Sequence, residues 1–327
     1  MDIEIYYDAE QEIEWFISLD PRLASAKREL LRARGKNKNK IVEDLIMYDR
    51  PDIILLVNNK PKLVLEKTEE VPSGHNVGQR IGRLARAVEM GVSIVKFFPF
   101  LAMKHGKNAN KCYVRPNIFL AFERMKQLHG VHVLAINWIC DDDFELVRNG
   151  TENIMIKNLM KAFIDNKFSF NEIKEVEYAE KLMEKECNLR MSAHLNYRRL
   201  APSLAIIKTN ELLSQLQSKF GCFNFEEKIS KREETLIYKI GMTPENCRRE
   251  DPYTGNQFIY DYRYCRNGPL TSDRTTNFVL KFPLLSKAEW KEANPFNPGR
   301  KSYLWYVLAD FMIFSDGILS RGDNFEQ

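Results

Sequence analysis

The chain has 327 residues, 44% of them hydrophobic and 29% charged, with a net charge of +4. That balance excludes a disordered or fibrous chain and leaves room for one large or two ordinary domains, each with its own core. No apolar stretch approaches the roughly 18 residues of a membrane span, the six cysteines form no CxxC pair, and the acidic start Met1-Asp2-Ile3-Glu4 carries no secretory pattern; the expectation is a cytoplasmic protein off the membrane.

Ala9 to Leu19 has helical spacing, with Ile13, Phe16 and Ile17 on one side. After a break at Asp20-Pro21, Leu23, Leu30 and Leu31 predict a second helix to Arg34, closed by Gly35. Arg22 to Lys40 holds eight Lys or Arg against one acid, Glu29, and ends in Lys36-Asn37-Lys38-Asn39-Lys40. Such a run is either a phosphate-binding surface or a solvated helix end and loop. Ile41 to Tyr48 reads as a short helix. Ile53–Val57 and Lys62–Thr68, joined by Asn58-Asn59-Lys60-Pro61, predict a strand pair. Gly78 to Met90 is helical and closed by Gly91, and Val92 to Phe98 is a third, buried strand. A polar loop from Lys104 to Lys111 precedes an amphipathic helix, Ile118 to His129, and a further buried strand, Val131 to Trp138. The order is that of an α/β domain with a central mixed sheet flanked by helices.

Asp141-Asp142-Asp143 and Asn149-Gly150 mark a boundary, which divides the chain into domains 1–147 and 148–327. The second half reads as a mainly helical α+β domain, with helices expected over Glu172–Glu186, Leu204–Phe220, Thr235–Ile240 and Ser302–Phe314. Between them lies a turn-rich stretch dense in Tyr and Arg. There Arg248, Arg249, Asn256, Arg263, Arg266 and Arg274 are candidate readers of base edges and phosphates. Tyr260, Tyr262 and Tyr264 equally suit one face of a half-buried strand, with Arg263 pointing the other way.

Asp52 opens the first strand of the pair and Glu66 lies near the end of the second, which sets two carboxylates side by side on one sheet. Buried carboxylates at that spacing call for a cation between them, and hard oxygen ligands suit Mg²⁺, with Mn²⁺ as a substitute. Glu66 and Thr68 share a face while the Lys67 side chain points away, so the Lys67 backbone carbonyl is a candidate third ligand. The bland alternative is a turn-capping aspartate and a glutamate paired with a cation at a sheet edge. Gln79, Arg83 and Arg86 share a helical face and are placed to approach a phosphate or to be solvated. His75, in the preceding loop, is a lone histidine.

Residues 41 to 100 resemble the core of the PD-(D/E)xK phosphodiesterase superfamily, the fold of many type II restriction endonucleases. Pro51-Asp52 matches the first half of its motif and Glu66 the acid of the second, while Thr68 stands where the family has lysine. The resemblance implies a nuclease core in which Asp52, Glu66, Thr68, Lys67 and Gln79 surround the reaction. It also implies that Glu43, on the helix before the first strand, is an extra acidic metal ligand. The missing lysine leaves the water-orienting role to Thr68 and water, to Lys96 on the next strand, or to Gln79 and Arg83. The phrases around Asp251-Pro252-Tyr253 and Tyr260-Asp261-Tyr262 also resemble large subunits of restriction enzymes that read asymmetric sites.

The resulting expectation is a Mg²⁺-dependent, site-specific DNA endonuclease. Lys36, Lys38, Lys40, Arg80, Arg83 and Arg86 would hold the double-stranded DNA backbone, and the C-terminal half would read bases. The chain would work as a homodimer, or nick one strand beside a smaller nuclease subunit, with a DNA methyltransferase protecting the host. A non-catalytic DNA-binding protein on a nuclease fold and a structure-specific repair nuclease are the alternatives.

Overall fold

The computed structural model describes residues 1–72, 80–106, 109–193, 204–221, 232–247, 276–297, 300 and 303–320. These fall into two compact units, the first ending at Ala193 and the second beginning at Leu204. Both are mixed α/β. No described helix is long and apolar enough to cross a membrane.

The first unit is built on a hairpin of β3 (Ile53–Val57) and β4 (Lys60–Lys67). Its turn places Asn58 and Asn59 at φ of 50° and 55°, a conformation that asparagine tolerates better than most side chains. β1 (Ile3–Tyr7) adds antiparallel to β3, and β2 (Lys27–Leu30) closes that edge parallel to β1. On the other side β5 (Ile94–Phe98) runs parallel to β4, and β8 (Val133–Asn137) parallel to β5. The six strands therefore lie in the order β2-β1-β3-β4-β5-β8. Between β5 and β8 comes a small antiparallel pair, β6 (Leu101–Lys104) and β7 (Asn110–Tyr113), where the sequence predicts only a polar loop.

β3 and β5 are buried on both faces, as their unbroken apolar runs require. Helix α1 (Glu10–Ile17) covers one face through Ile13 and Phe16. That face continues under α5 (Ile154–Asp165) and α6 (Lys174–Ala193), whose Ile156, Leu159, Phe163, Val176 and Ala179 join Leu55, Leu65, Phe97 and Ile136 in one core. The sequence boundary at residue 147 therefore moves: α5 and α6 belong to the first unit, where they complete with α1 the cover of this sheet face. The opposite face is covered by α3 (Ile81–Glu89) and α4 (Pro116–His129), with α2 (Lys40–Leu45) preceding β3.

The expected helix from Pro21 to Arg34 is a single 3-10 turn, Pro21–Leu23, followed by β2. Leu23 and Leu31 are buried while Leu30 is exposed, so their spacing marks separate anchor points and pairing with β1 overrides the helical reading. Gly35, at φ of 79°, sits in a turn rather than at a helix end.

The second unit is also corrected. Its described strands are β9 (Leu204–Lys208), β10 (Glu234–Lys239), β11 (Thr276–Phe282), β12 (Phe311–Phe314) and β13 (Ile318–Ser320). They form one mixed sheet in the order β13-β12-β11-β10-β9, so the described residues are built on a sheet and not mainly on helices. Thr235-Leu236-Ile237-Tyr238 is β-branched and aromatic, and it pairs on both sides inside the sheet, which decides strand over helix. The expected helix at Leu204–Phe220 divides into β9 and α7 (Thr209–Phe220), and that at Ser302–Phe314 into a short helix, Tyr303–Leu308, and β12. Trp290 is fully buried against Phe282, Trp305 and Phe314.

In the first unit Phe97 stacks between Trp15 and Trp138, at centroid distances of 5.7 and 4.9 Å. Phe97→Ala is expected to destabilise this unit by about 3–5 kcal/mol, read from denaturant unfolding followed by tryptophan fluorescence. A loss below about 1 kcal/mol would show that the stack is not a packed part of the core.

Candidate active site

Ile53 and Leu55, Leu63 and Leu65, and Val95 and Phe97 enter the core beneath α1 and α5. Their alternate neighbours Asp52, Glu66, Thr68 and Lys96 therefore project from the other face, under α3. Ile53 pairs with Leu65, and Glu66 with Lys96. Two acids and a lysine thus stand in a row across three strands. Asp52, Glu66 and Lys96 are 1%, 0% and 0% exposed, so their charges depend on one another and on whatever α3 brings down.

What α3 brings is a pair of arginines. Arg83 Nη1 donates to Asp52 Oδ1 at 3.1 Å, to Glu66 Oε1 at 3.0 Å and to Glu66 Oε2 at 3.3 Å, while its Nε reaches Asp49 Oδ2 at 3.3 Å. Arg80 Nη1 donates to Glu66 Oε1 at 3.0 Å and to the Lys67 carbonyl at 3.5 Å, with Nη2 on Glu70 Oε1 at 3.5 Å. The Lys67 backbone N–H donates to Asp52 Oδ2 at 2.6 Å and ties the two strand ends together.

Burial, reinforced by the adjacent Glu66 charge, pushes the Asp52 carboxyl well above the usual carboxylate range, against the opposing pull of Arg83. Burial pushes Lys96 down to about 8, with Glu66 resisting. Lys96 Nζ and Thr68 Oγ1 are buried without a hydrogen-bond partner among the described residues. Leaving such groups unsatisfied costs roughly 1–3 kcal/mol each for neutral groups and more for a charge. The Lys96 ammonium approaches the Phe98 ring, 5.2 Å from its centroid, and a buried ammonium without a hydrogen-bond partner is hard to explain as packing alone.

Lys67 turns to the opposite face, as its place in the strand requires. Its Nζ lies 5.0 and 5.3 Å from the ring centroids of Trp15 and Trp138 and pairs with Glu69, so only its backbone N–H and carbonyl join the site. Asp52, Glu66 and that carbonyl form a set of hard oxygens already gathered around cationic nitrogen. This donor chemistry fits Mg²⁺ or Mn²⁺, which would keep several waters. No three His, Cys, Asp or Glu side chains form a metal-holding group among the described residues; a cation here would have to be held by two carboxylates and one carbonyl.

Glu43 does not join this set. Its carboxylate is occupied by the Gly35 and Asn37 backbone N–H groups and the Asn37 amide, where it closes the loop before α2. Arg86 bonds the Asp44 carbonyl at 3.1 Å and lies over Tyr48, so it ties α3 to the α2 region. Lys36 and Lys38 are exposed, and Lys40 is exposed with an ion pair to Asp44. His75, Gln79, Arg248, Arg249, Asn256, Arg263, Arg266 and Arg274 lie outside the described residues.

Three further acids flank the pair. Asp49 is held by Arg83, and the Asp8 backbone N–H donates to the Asp52 carbonyl at 3.0 Å. Glu12 on α1 has a buried, unpartnered Oε2, and burial raises both its carboxyl and that of Asp8. Asp49 is readable from Asp49-Arg50-Pro51-Asp52; Asp8 and Glu12 become neighbours only once β1 is paired with β3. Comparison with known proteins finds no matching family model, no matching curated protein and no matching solved structure.

Because the folded protein holds its Asp52 proton more tightly than the unfolded chain, stability from this group falls as pH rises from about 4 through the raised folded value. Asp52→Asn is therefore expected to melt above wild type at pH 8 without divalent cation, with the difference closing toward about pH 4. Thermal melts across that range decide it, and a variant less stable than wild type at pH 8 would contradict the assignment.

Proposed function

We propose that the first unit is a divalent-cation-dependent DNA endonuclease of PD-(D/E)xK type, cutting at specific sites. The observation that carries this reading is the burial of Asp52 and Glu66 on one sheet face with Lys96 in register beside them. A structural role, with the arginines holding the acids, leaves the buried lysine without a hydrogen-bond partner unexplained. Asp52, Glu66 and the Lys67 carbonyl would hold the cation. Bound there, Mg²⁺ or Mn²⁺ supplies charge stabilisation at the phosphoryl group and acidifies a water.

The chain's own groups supply the rest. Lys96 places an ammonium beside Glu66, a donor for the attacking water or a non-bridging phosphate oxygen. It fills the role that Thr68 leaves open in the motif, and Thr68 keeps a hydroxyl on the same face. Arg80 and Arg83, which hold the two acids in the structure, would turn to phosphate oxygens at the site's rim. In-line attack at phosphorus expels the 3′-oxygen. Base readout is assigned to the second half of the chain, as in the asymmetric-site large subunits that its sequence resembles. Such a chain nicks one strand beside a smaller subunit, or cuts both as a homodimer, with a methyltransferase protecting the host.

The alternative, a DNA-binding protein without catalysis, is favoured by one observation: the arginines already satisfy the carboxylates. Incubation with supercoiled plasmid and Mg²⁺ separates the two readings. Nicked or linear product at discrete sites, lost in Asp52→Ala and Glu66→Ala, is expected; intact plasmid under all conditions would favour the binder. Lys96→Met is expected to lower the cleavage rate by about 10²–10⁴-fold, and Thr68→Lys to keep or raise it. Full activity in Lys96→Met would return the water-orienting role to another group.

A further inference from the structure

The nitrogens that Arg80 and Arg83 place on the acids occupy the oxygens a cation would use. Arg83 Nη1 is shared by Asp52 Oδ1 and both Glu66 oxygens, and Arg80 Nη1 by Glu66 Oε1 and the Lys67 carbonyl. A Mg²⁺ ion sits about 2.0–2.1 Å from its oxygens, closer than the 3.0 Å held by these nitrogens. An ion bridging Asp52 and Glu66 would overlap Arg83 Nη1. Cation and guanidinium therefore exclude each other at this point.

Each arginine also has a second hold outside the shared oxygens. Arg83 keeps Nε on Asp49 at 3.3 Å, and Arg80 keeps Nη2 on Glu70 at 3.5 Å. Both side chains are 22% exposed, so a path to solvent exists. If the inner nitrogen is displaced, the outer one still tethers the side chain beside the site. A freed guanidinium next to a divalent ion faces like charge, and a phosphodiester supplies the opposite charge and the planar oxygen pair that a guanidinium binds well.

Resting on the nuclease reading above, we infer that Arg80 and Arg83 are the resident counter-cations of the metal-free site. With a cation bound, Arg80 and Arg83 would release the shared oxygens and turn to a phosphate of the DNA. Cation and DNA then bind cooperatively, and by linkage each strengthens the other by the same factor. The device keeps two buried carboxylates neutralised at rest and presents phosphate-binding groups only when the cation is in place.

The test is calorimetric titration of Ca²⁺, a hard oxygen-seeking cation, into the full chain, alone and with a mixed-sequence DNA duplex whose integrity is checked afterwards. In wild type the duplex is expected to tighten Ca²⁺ binding at least about fivefold. Arg83→Gln is expected to bind Ca²⁺ at least about fivefold tighter than wild type without DNA and to lose most of the DNA enhancement. Arg80→Gln leaves the Arg83 contacts to Asp52 in place and is expected to change in the same direction by less; it decides the matter if Arg83→Gln does not fold.

Unchanged Ca²⁺ affinity in both arginine variants, or equal enhancement by DNA in all of them, would overturn the inference while leaving the metal site standing. Ca²⁺ binding that is absent throughout, or unaffected by Glu66→Gln, would instead sink the metal reading and the inference with it.

Discussion

Two carboxylates buried side by side repel each other and resist leaving water, and the first unit is arranged around the positive charge that offsets both effects. Asp52 and Glu66 are brought together by the register of one hairpin. Removing the cationic partner of such a buried pair costs about 3–5 kcal/mol, because the acids are left stranded. The guanidiniums of Arg80 and Arg83 meet that demand from the first turn of α3. Burial and the Glu66 charge still outweigh Arg83 at Asp52 and push its carboxyl up, so the compensation is incomplete. An incompletely compensated pair of acids stores electrostatic strain that a divalent cation would relieve.

The rest of the unit holds those groups in place. β5 pairs parallel to β4 and sets Lys96 opposite Glu66, while α5 and α6 seal the far face of the sheet. On that far face Lys67 lies over the rings of Trp15 and Trp138, which fixes the β4 terminus and with it the direction of the Lys67 carbonyl. The stack of Trp15, Phe97 and Trp138 thus supports a site on the opposite side of the same strands.

How much of this was legible in the sequence follows from where the signal is local. The hairpin is readable because two aliphatic runs flank Asn58-Asn59, and the face shared by Asp52, Glu66 and Thr68 follows from strand alternation. β1 and β2 are not, because β2 is an exposed edge strand of Lys27-Arg28-Glu29-Leu30 whose only reason to be a strand is its partner. Asp8 and Glu12 were hidden for the same reason. The opposite fate of Glu43, taken up by loop amides, depends on a turn at Gly35 that a helical reading of the preceding residues obscures. Alternation gives the face of Lys96, but its complete burial comes from helices packed over it. In the second unit, Thr235–Ile240 and Phe311–Phe314 are short apolar runs that suit a helix or a strand, and sheet pairing alone decides between them.

The central claim is that Asp52, Glu66 and the Lys67 carbonyl form one cation site shared in alternation with two arginines. Anomalous diffraction from crystals soaked in Mn²⁺ tests it directly. The account predicts a single strong peak about 2.0–2.3 Å from an oxygen of Asp52 and of Glu66, with Arg83 withdrawn toward Asp49. Manganese bound elsewhere, with Arg83 still bridging the two carboxylates, would contradict it.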